Sequence, residues 1–193
     1  MSSSLGSHPD LRRTIRRLKA AGQRARLKPR ERSQLLWIGQ MQRLPKLLLD
    51  TTVYIDQLQG KLPRDVEISL RATVLWHSTV TECELSALAG LLDPAHPDST
   101  RAIEEVLASI EQRPSHRIVN PDREVWQEAG VLAGVLARLQ QYSKSDQRRE
   151  LNDALIFLSA AKAGLAVLTR NIADYDLLAQ LAGRGSVIFY QTT

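Results

Sequence analysis

The chain has 193 residues, 43% of them hydrophobic and 24% charged, which is a composition able to bury a sizeable core and unlike that of a disordered chain. The net charge of +5 is unevenly spread: residues 1–46 carry 12 Lys or Arg against two acids, Asp10 and Glu31, and the remainder carries 14 against 19. A basic arm on an acidic body suggests phosphate contact on the arm and cation binding on the body. No apolar run reaches the roughly 18–20 residues that span a bilayer. The first ten residues lack a basic-then-apolar signal pattern, so the expectation is a soluble, cytoplasmic protein with no membrane contact. Cys83, the single cysteine, can form neither an internal disulfide nor a thiolate metal site alone.

In chain order, Asp10 can cap a short helix, LRRTIRRLKAAG, with Leu11, Ile15 and Leu18 on one face. GQRARLKPRER is polar and basic enough to read as a linker. Residues 33–44, SQLLWIGQMQRL, are apolar enough to dock on the body or on a partner subunit, and Pro45 breaks any helix there. From Lys46 onward, short β-type runs alternate with helical ones. Leu47–Leu49 reads as a strand and residues 51–59 as a helix ended by Gly60. A helix over 65–73 follows, then a strand Val74–Val80 and the helix TECELSALAGLL, stopped by Pro94. A helix Asp98–Gln112, capped by Asp98 or Ser99, precedes the short strand Arg117–Val119. Pro121 opens a long helix to about Tyr142, and another runs from about Ser145 to Ala163, ended by Gly164. LAVLT is a continuous apolar strand, residues 172–182 are helical, GRGS reads as the turn that ends that helix, and SVIFY is the last strand. The alternation predicts an α/β fold with a parallel sheet covered by helices on both faces.

In such sheets, ligands bind outside the carboxyl ends of the strands. Asp50 directly follows the first strand, Glu84 lies early in the helix after the second, and Asp174 follows LAVLT. Asp153 sits beside the apolar face of its helix, made by Leu151, Ala154, Leu155 and Leu158. Clustered carboxylates repel, and a hard divalent cation such as Mg²⁺ or Mn²⁺ is the usual compensation. Each acid has a plainer reading. Asp50 could only cap its helix, and Asp174 could cap the last one with Asp176 as a dipole partner. Glu84 could be solvated, as Glu82 is expected to be, and Asp153 could pair with Arg149. His77, in a strand, reads as a core histidine. Trp76 and Trp126 read as core or interface aromatics.

Three strings tip this balance. LLLDTTVYIDQLQG resembles the opening of PIN-domain proteins, STVTECEL their second signature, and NDALIFLSAAKAGLAVLTRNIADYD their third, in that order. The resemblance covers about residues 46–193 and is nearest to the VapC-type toxins of type II toxin–antitoxin pairs. It implies a three-layer α/β/α PIN-like fold with a central parallel sheet over 46–193. Ahead of it lies a basic, partly helical N-terminal extension, residues 1–45. It also implies an Mg²⁺- or Mn²⁺-dependent endoribonuclease that hydrolyses RNA phosphodiesters with metal-activated water. By the same resemblance Asp50, Asp153 and Asp174 are the main catalytic metal ligands and Glu84 completes the set. Thr51, Thr169 and Asn171 match supporting polar positions, and Asp56 a structural one. An antitoxin protein and a homodimer are the implied partners. Glu150, one turn before Asp153, could approach the site, but reads first as solvated.

Two features depart from the VapC pattern. The extension is long, and Phe157 and Leu158 stand where relatives often carry Ala. The extension's Arg12, Arg13, Arg16, Arg17, Lys19, Arg24, Arg26, Lys28, Arg30 and Arg32 could hold RNA near the acidic body, or could simply be solvated. The alternative functions are a PIN-like nuclease in RNA processing or defence outside a toxin pair, or a non-catalytic RNA-binding module.

Overall fold

The computed structural model describes residues 26–192 other than Pro94, together with Arg12, Thr14, Ile15, Arg16 and Leu18 of the extension. Those five are helical, and Leu18 is buried in the main core. The expected cap Asp10, the helix end at Gly22 and the stop at Pro94 lie outside the described residues.

Five strands form one sheet: β1 (Leu47–Leu49), β2 (Leu75–Ser78), β3 (Ile118–Val119), β4 (Ala166–Thr169) and β5 (Ser186–Phe189). Their order is β3-β2-β1-β4-β5, and every pairing is parallel. The helices are α1 (Thr51–Leu58), α2 (Arg64–Arg71), α3 (Thr79–Leu91), α4 (Pro97–Glu111), α5 (Arg123–Gln140), α6 (Lys144–Ala163) and α7 (Ile172–Ala182). Because side chains alternate along a strand, the sheet feeds two cores. Leu48, Val167, Val187 and Phe189 pack toward α5, α6 and α7. Leu47, Leu49, Ala166, Leu168 and Ile188 pack with Val53, Tyr54, Val66, Leu70 and Leu85 on the α1–α3 side. This is the expected three-layer α/β/α arrangement.

Several element boundaries move for local reasons. β2 stops at Ser78, because the Ser78 hydroxyl accepts the N–H of Val80 and starts α3 there. α4 is capped by His96 with Pro97 in its first turn, and α5 by Asp122 rather than opened by Pro121. Gly183, at φ 62°, ends α7 as the GRGS turn requires. Phe157 and Leu158 are buried in the main core, and Phe157 crowds Gly185. A Cβ there would come within 2.7 Å of its ring, and φ at Gly185 is +83°.

The stretch read as a linker is docked. Gln140 donates its amide to the carbonyl of Leu27 and accepts from Nε of Arg26. Leu35, Trp37 and Ile38 are buried on the body, and Trp37 forms a parallel bridge to Phe189 beside β5. A basic, polar segment packs here because its main chain and guanidinium groups find buried acceptors on α5 and α7.

The strand order reverses between β1 and β4. β1 pairs with β2 on one side and β4 on the other, so the crevice beyond their carboxyl ends is the switch point where open α/β sheets hold ligands.

Candidate active site

Asp50 leaves β1 directly and its N–H bonds the carbonyl of Leu168 on β4, which fixes it over the crevice. Its carboxylate is 2% exposed, yet it has four donors. One oxygen accepts Thr52 N–H at 3.4 Å, Thr52 Oγ1 at 2.7 Å and Thr169 Oγ1 at 2.7 Å; the other accepts the Tyr175 hydroxyl at 2.9 Å. Asp50 therefore caps α1 and also anchors the crevice.

Glu84 reaches the same cleft from α3. Thr51 Oγ1 and Asn152 Nδ2, the latter at 2.8 Å, donate to its two oxygens. Desolvation raises its pKa and the Asp50 charge adds to that, while the two hydrogen bonds oppose it. Asn171 caps α7 in place of Asp174, because its side chain accepts the Asp174 N–H. Its amide also donates to Asp153 at 3.2 Å and to Asp174 at 2.8 Å, so one side chain ties two carboxylates together. Asp174 further accepts from Tyr142 at 3.2 Å and lies 3.7 Å from the Arg149 guanidinium, which pairs there rather than with Asp153.

Asp153 carries the heaviest electrostatic load. Burial raises its pKa well above the usual carboxylate range, and Asp50, Asp174, Glu150 and Glu84 all raise it further. Glu150 is a correction to the sequence reading. It is 2% exposed, not solvated; one of its oxygens has no hydrogen-bond partner, and burial beside Asp174 pushes its pKa up to about 8. Five carboxylates thus share one neighbourhood. A cleft of about 660 Å³ opens over it, lined by Asp50, Thr51, Glu84, Asn152, Asp153 and Asn171, with Ile55, Leu88 and Leu91 as an apolar wall and Arg148 and Arg149 at its margin.

Among the described residues, no three acidic or imidazole side chains converge tightly enough to hold one ion directly. The donor set still suits a hard divalent cation. It consists of carboxylate oxygens, one of them buried and without a partner, and Mg²⁺ commonly keeps its waters and takes only one or two carboxylates directly.

Thr51 and Thr169 bond Glu84 and Asp50, and Asp56 is buried under Tyr190 and Arg170. His77 is buried against the Tyr54 hydroxyl, and Glu82 pairs with Arg113 at 3.4 Å. Trp126 is 52% exposed and so is not a core residue. In the extension, Arg26, Arg30 and Arg32 contact Gln140, Asp176 and Gln191. Arg12, Arg16 and Lys28 are exposed, and Arg13, Arg17, Lys19 and Arg24 lie outside the described residues. Thr52, Tyr175 and Asn152 were missed, although each lies within two residues of a recognised acid. Tyr142 had no signal, because it arrives from the far end of α5.

An acid-lined crevice at the switch point of a three-layer parallel α/β fold defines the class. A family model of the PIN domain matches residues 47–177, and the chain belongs to the PIN-domain family. Solved structures share its fold. VapBC2 from Rickettsia felis, bound to a DNA fragment from their promoter, aligns at TM-score 0.54 and 12% identity over 76% of this chain and 99% of that one. FitAcB from Neisseria gonorrhoeae aligns at 0.54 and 21% over 75% and 96%. DNA-bound VapBC from Salmonella typhimurium aligns at 0.52 and 21% over 76% and 98%. The comparison with curated proteins finds no match.

Proposed function

We propose that this chain is a metal-dependent endoribonuclease and the toxin of a toxin–antitoxin pair. The observation that carries the reading is Asp153, buried beside four other carboxylates at the switch point, a charge density that calls for a divalent cation. Membership of a family whose members are generally nucleases supports the chemistry, and the VapBC structures that share the fold support the biological setting.

Asp50, Asp153 and Asp174 would hold the cation, directly or through its waters, with Glu84 completing the set. When bound, Mg²⁺ or Mn²⁺ supplies Lewis acidity to the scissile phosphate and makes an attacking water more acidic. The protein's own work is positional. Thr52, Thr169 and Tyr175 hold the Asp50 carboxylate, Asn171 spaces Asp153 from Asp174, and Thr51 with Asn152 aims Glu84. Arg148 and Arg149 at the cleft margin supply positive charge for the flanking phosphates, and the exposed Arg12, Arg16 and Lys28 of the extension are offered as further phosphate contacts. An antitoxin would inhibit by covering this cleft, and a homodimer is the expected assembly. Among the described residues, no helix is long and apolar enough to cross a membrane.

The test is expression of the chain alone, and of its Asp50→Asn variant, with sequencing of the RNA ends that each produces. Growth arrest and new RNA ends from the wild type only are the expected result. RNA ends that are equal for the two proteins would refute the assignment.

A further inference from the structure

The family match begins at residue 47, so what precedes it needs its own explanation. Residues 26–37 run along α5, α7 and β5, and their strongest anchor is on α7. Asp176 is fully buried. It accepts the Arg30 N–H at 2.7 Å, Nε of Arg30 at 2.6 Å and Nε2 of Gln180 at 2.9 Å. The same Gln180 amide donates to the carbonyl of Lys28 at 3.0 Å. A buried carboxylate without its cation is strongly unfavourable, and Arg30 comes from 146 residues earlier in the chain.

Asp176 adjoins the two α7 residues that face the crevice. Asp174, Tyr175 and Asp176 are consecutive, and each turns by about 100° from the last. Asp174 meets Asn171 and Tyr142, Tyr175 meets Asp50, and Asp176 meets the extension. The first turn of α7 is therefore held from both sides.

We propose that residues 26–37 form a strap and that Arg30, through Asp176, is a positioning residue that keeps Asp174 and Tyr175 in register with Asp50. The strap's far end supports this geometry: Phe189 N–H donates to the Leu36 carbonyl at 2.8 Å, and the Arg32 guanidinium stacks on Trp37, 4.2 Å from its ring centroid. Its effect on cation binding rests on the function proposed above; its effect on α7 does not.

The experiment uses the full chain and the variants Arg30→Ala, Arg30→Lys and Arg26→Ala, the last losing a strap contact to α5 but none to α7. Hydrogen exchange of the residue 174–177 amides and Mn²⁺ affinity by electron paramagnetic resonance are measured well below the unfolding transition. Arg30→Ala is expected to speed exchange at these amides and to weaken Mn²⁺ binding on the order of tenfold, with Arg30→Lys intermediate and Arg26→Ala near wild type. If Arg30→Ala does not fold, Arg30→Lys against Arg26→Ala decides. If Arg30→Ala or Arg30→Lys shows only a lower Tm, with exchange at 174–177 and Mn²⁺ affinity unchanged, the proposal is overturned. A wild type that binds no Mn²⁺ refutes the metal reading, and exchange at 174–177 then decides the strap alone.

Discussion

The Tyr175 hydroxyl donates to Asp50 over 2.9 Å, joining the first turn of α7 to the end of β1 across the switch point of the sheet. Tyr175 is fully buried, and its phenol is kept protonated, chiefly by burial and also by Asp50 and Asp153. Its hydroxyl donates to Asp50 and so fixes one oxygen of that carboxylate.

Tyr175→Phe should therefore keep the fold and lose roughly 1–3 kcal/mol of stability, the cost of leaving a buried acceptor unsatisfied. Metal affinity or RNA cleavage should fall between about tenfold and a hundredfold, as for other groups that orient metal ligands. Thermal unfolding beside Mn²⁺ titration checks both.

Asn171 serves two purposes, and two substitutions separate them. Asn171→Ser retains a capping oxygen for α7 but loses the amide that spaces Asp153 from Asp174. Asn171→Ala loses both, with about 1 kcal/mol of cap stability. Equal loss of cleavage in the two, with unequal Tm, is the expected result.

Glu150 should make the metal-free protein less stable as pH rises. Its folded pKa is about 8, raised by burial and then by Asp174, against an ordinary value of 4.5. The folded state keeps a proton that the unfolded chain releases, so its contribution is full below pH 4.5 and is lost between pH 4.5 and 8. Glu150→Gln should then be stabilised relative to wild type by roughly 1–3 kcal/mol at pH 8 in EDTA and barely at pH 4. Urea unfolding at the two pH values measures this.

His77 acts in the opposite direction. Burial first, then Arg113 and Arg117, lower its pKa to about 4 from 6.5. Its contribution is full above pH 6.5 and is lost as pH falls toward 4. His77→Gln should flatten that acid limb of the stability profile, as read by thermal unfolding between pH 4 and 7.

Much of this fold was legible because the signals were local. LLL and LAVLT are apolar without interruption, as strands buried on both faces must be, and Asp50 follows its strand directly. The acids stood out because three of them follow three parallel strands. What stayed hidden depends on distant partners. Arg30 looks like any linker arginine until Asp176 is placed beside it, and Glu150 looks solvated until the fold brings Tyr142 and Asp174 near it. Asn171 displaced Asp174 as the cap because both can fill that position, and sequence alone does not rank them.

Whether the acid group works through a divalent cation is decided by RNA cleavage with purified wild type and Asp50→Asn, each with Mg²⁺ and with EDTA. Cleavage by wild type with Mg²⁺ alone, and none by Asp50→Asn in either condition, is the expected result. Cleavage by Asp50→Asn at the wild-type rate, or wild-type cleavage that persists in EDTA, would contradict it.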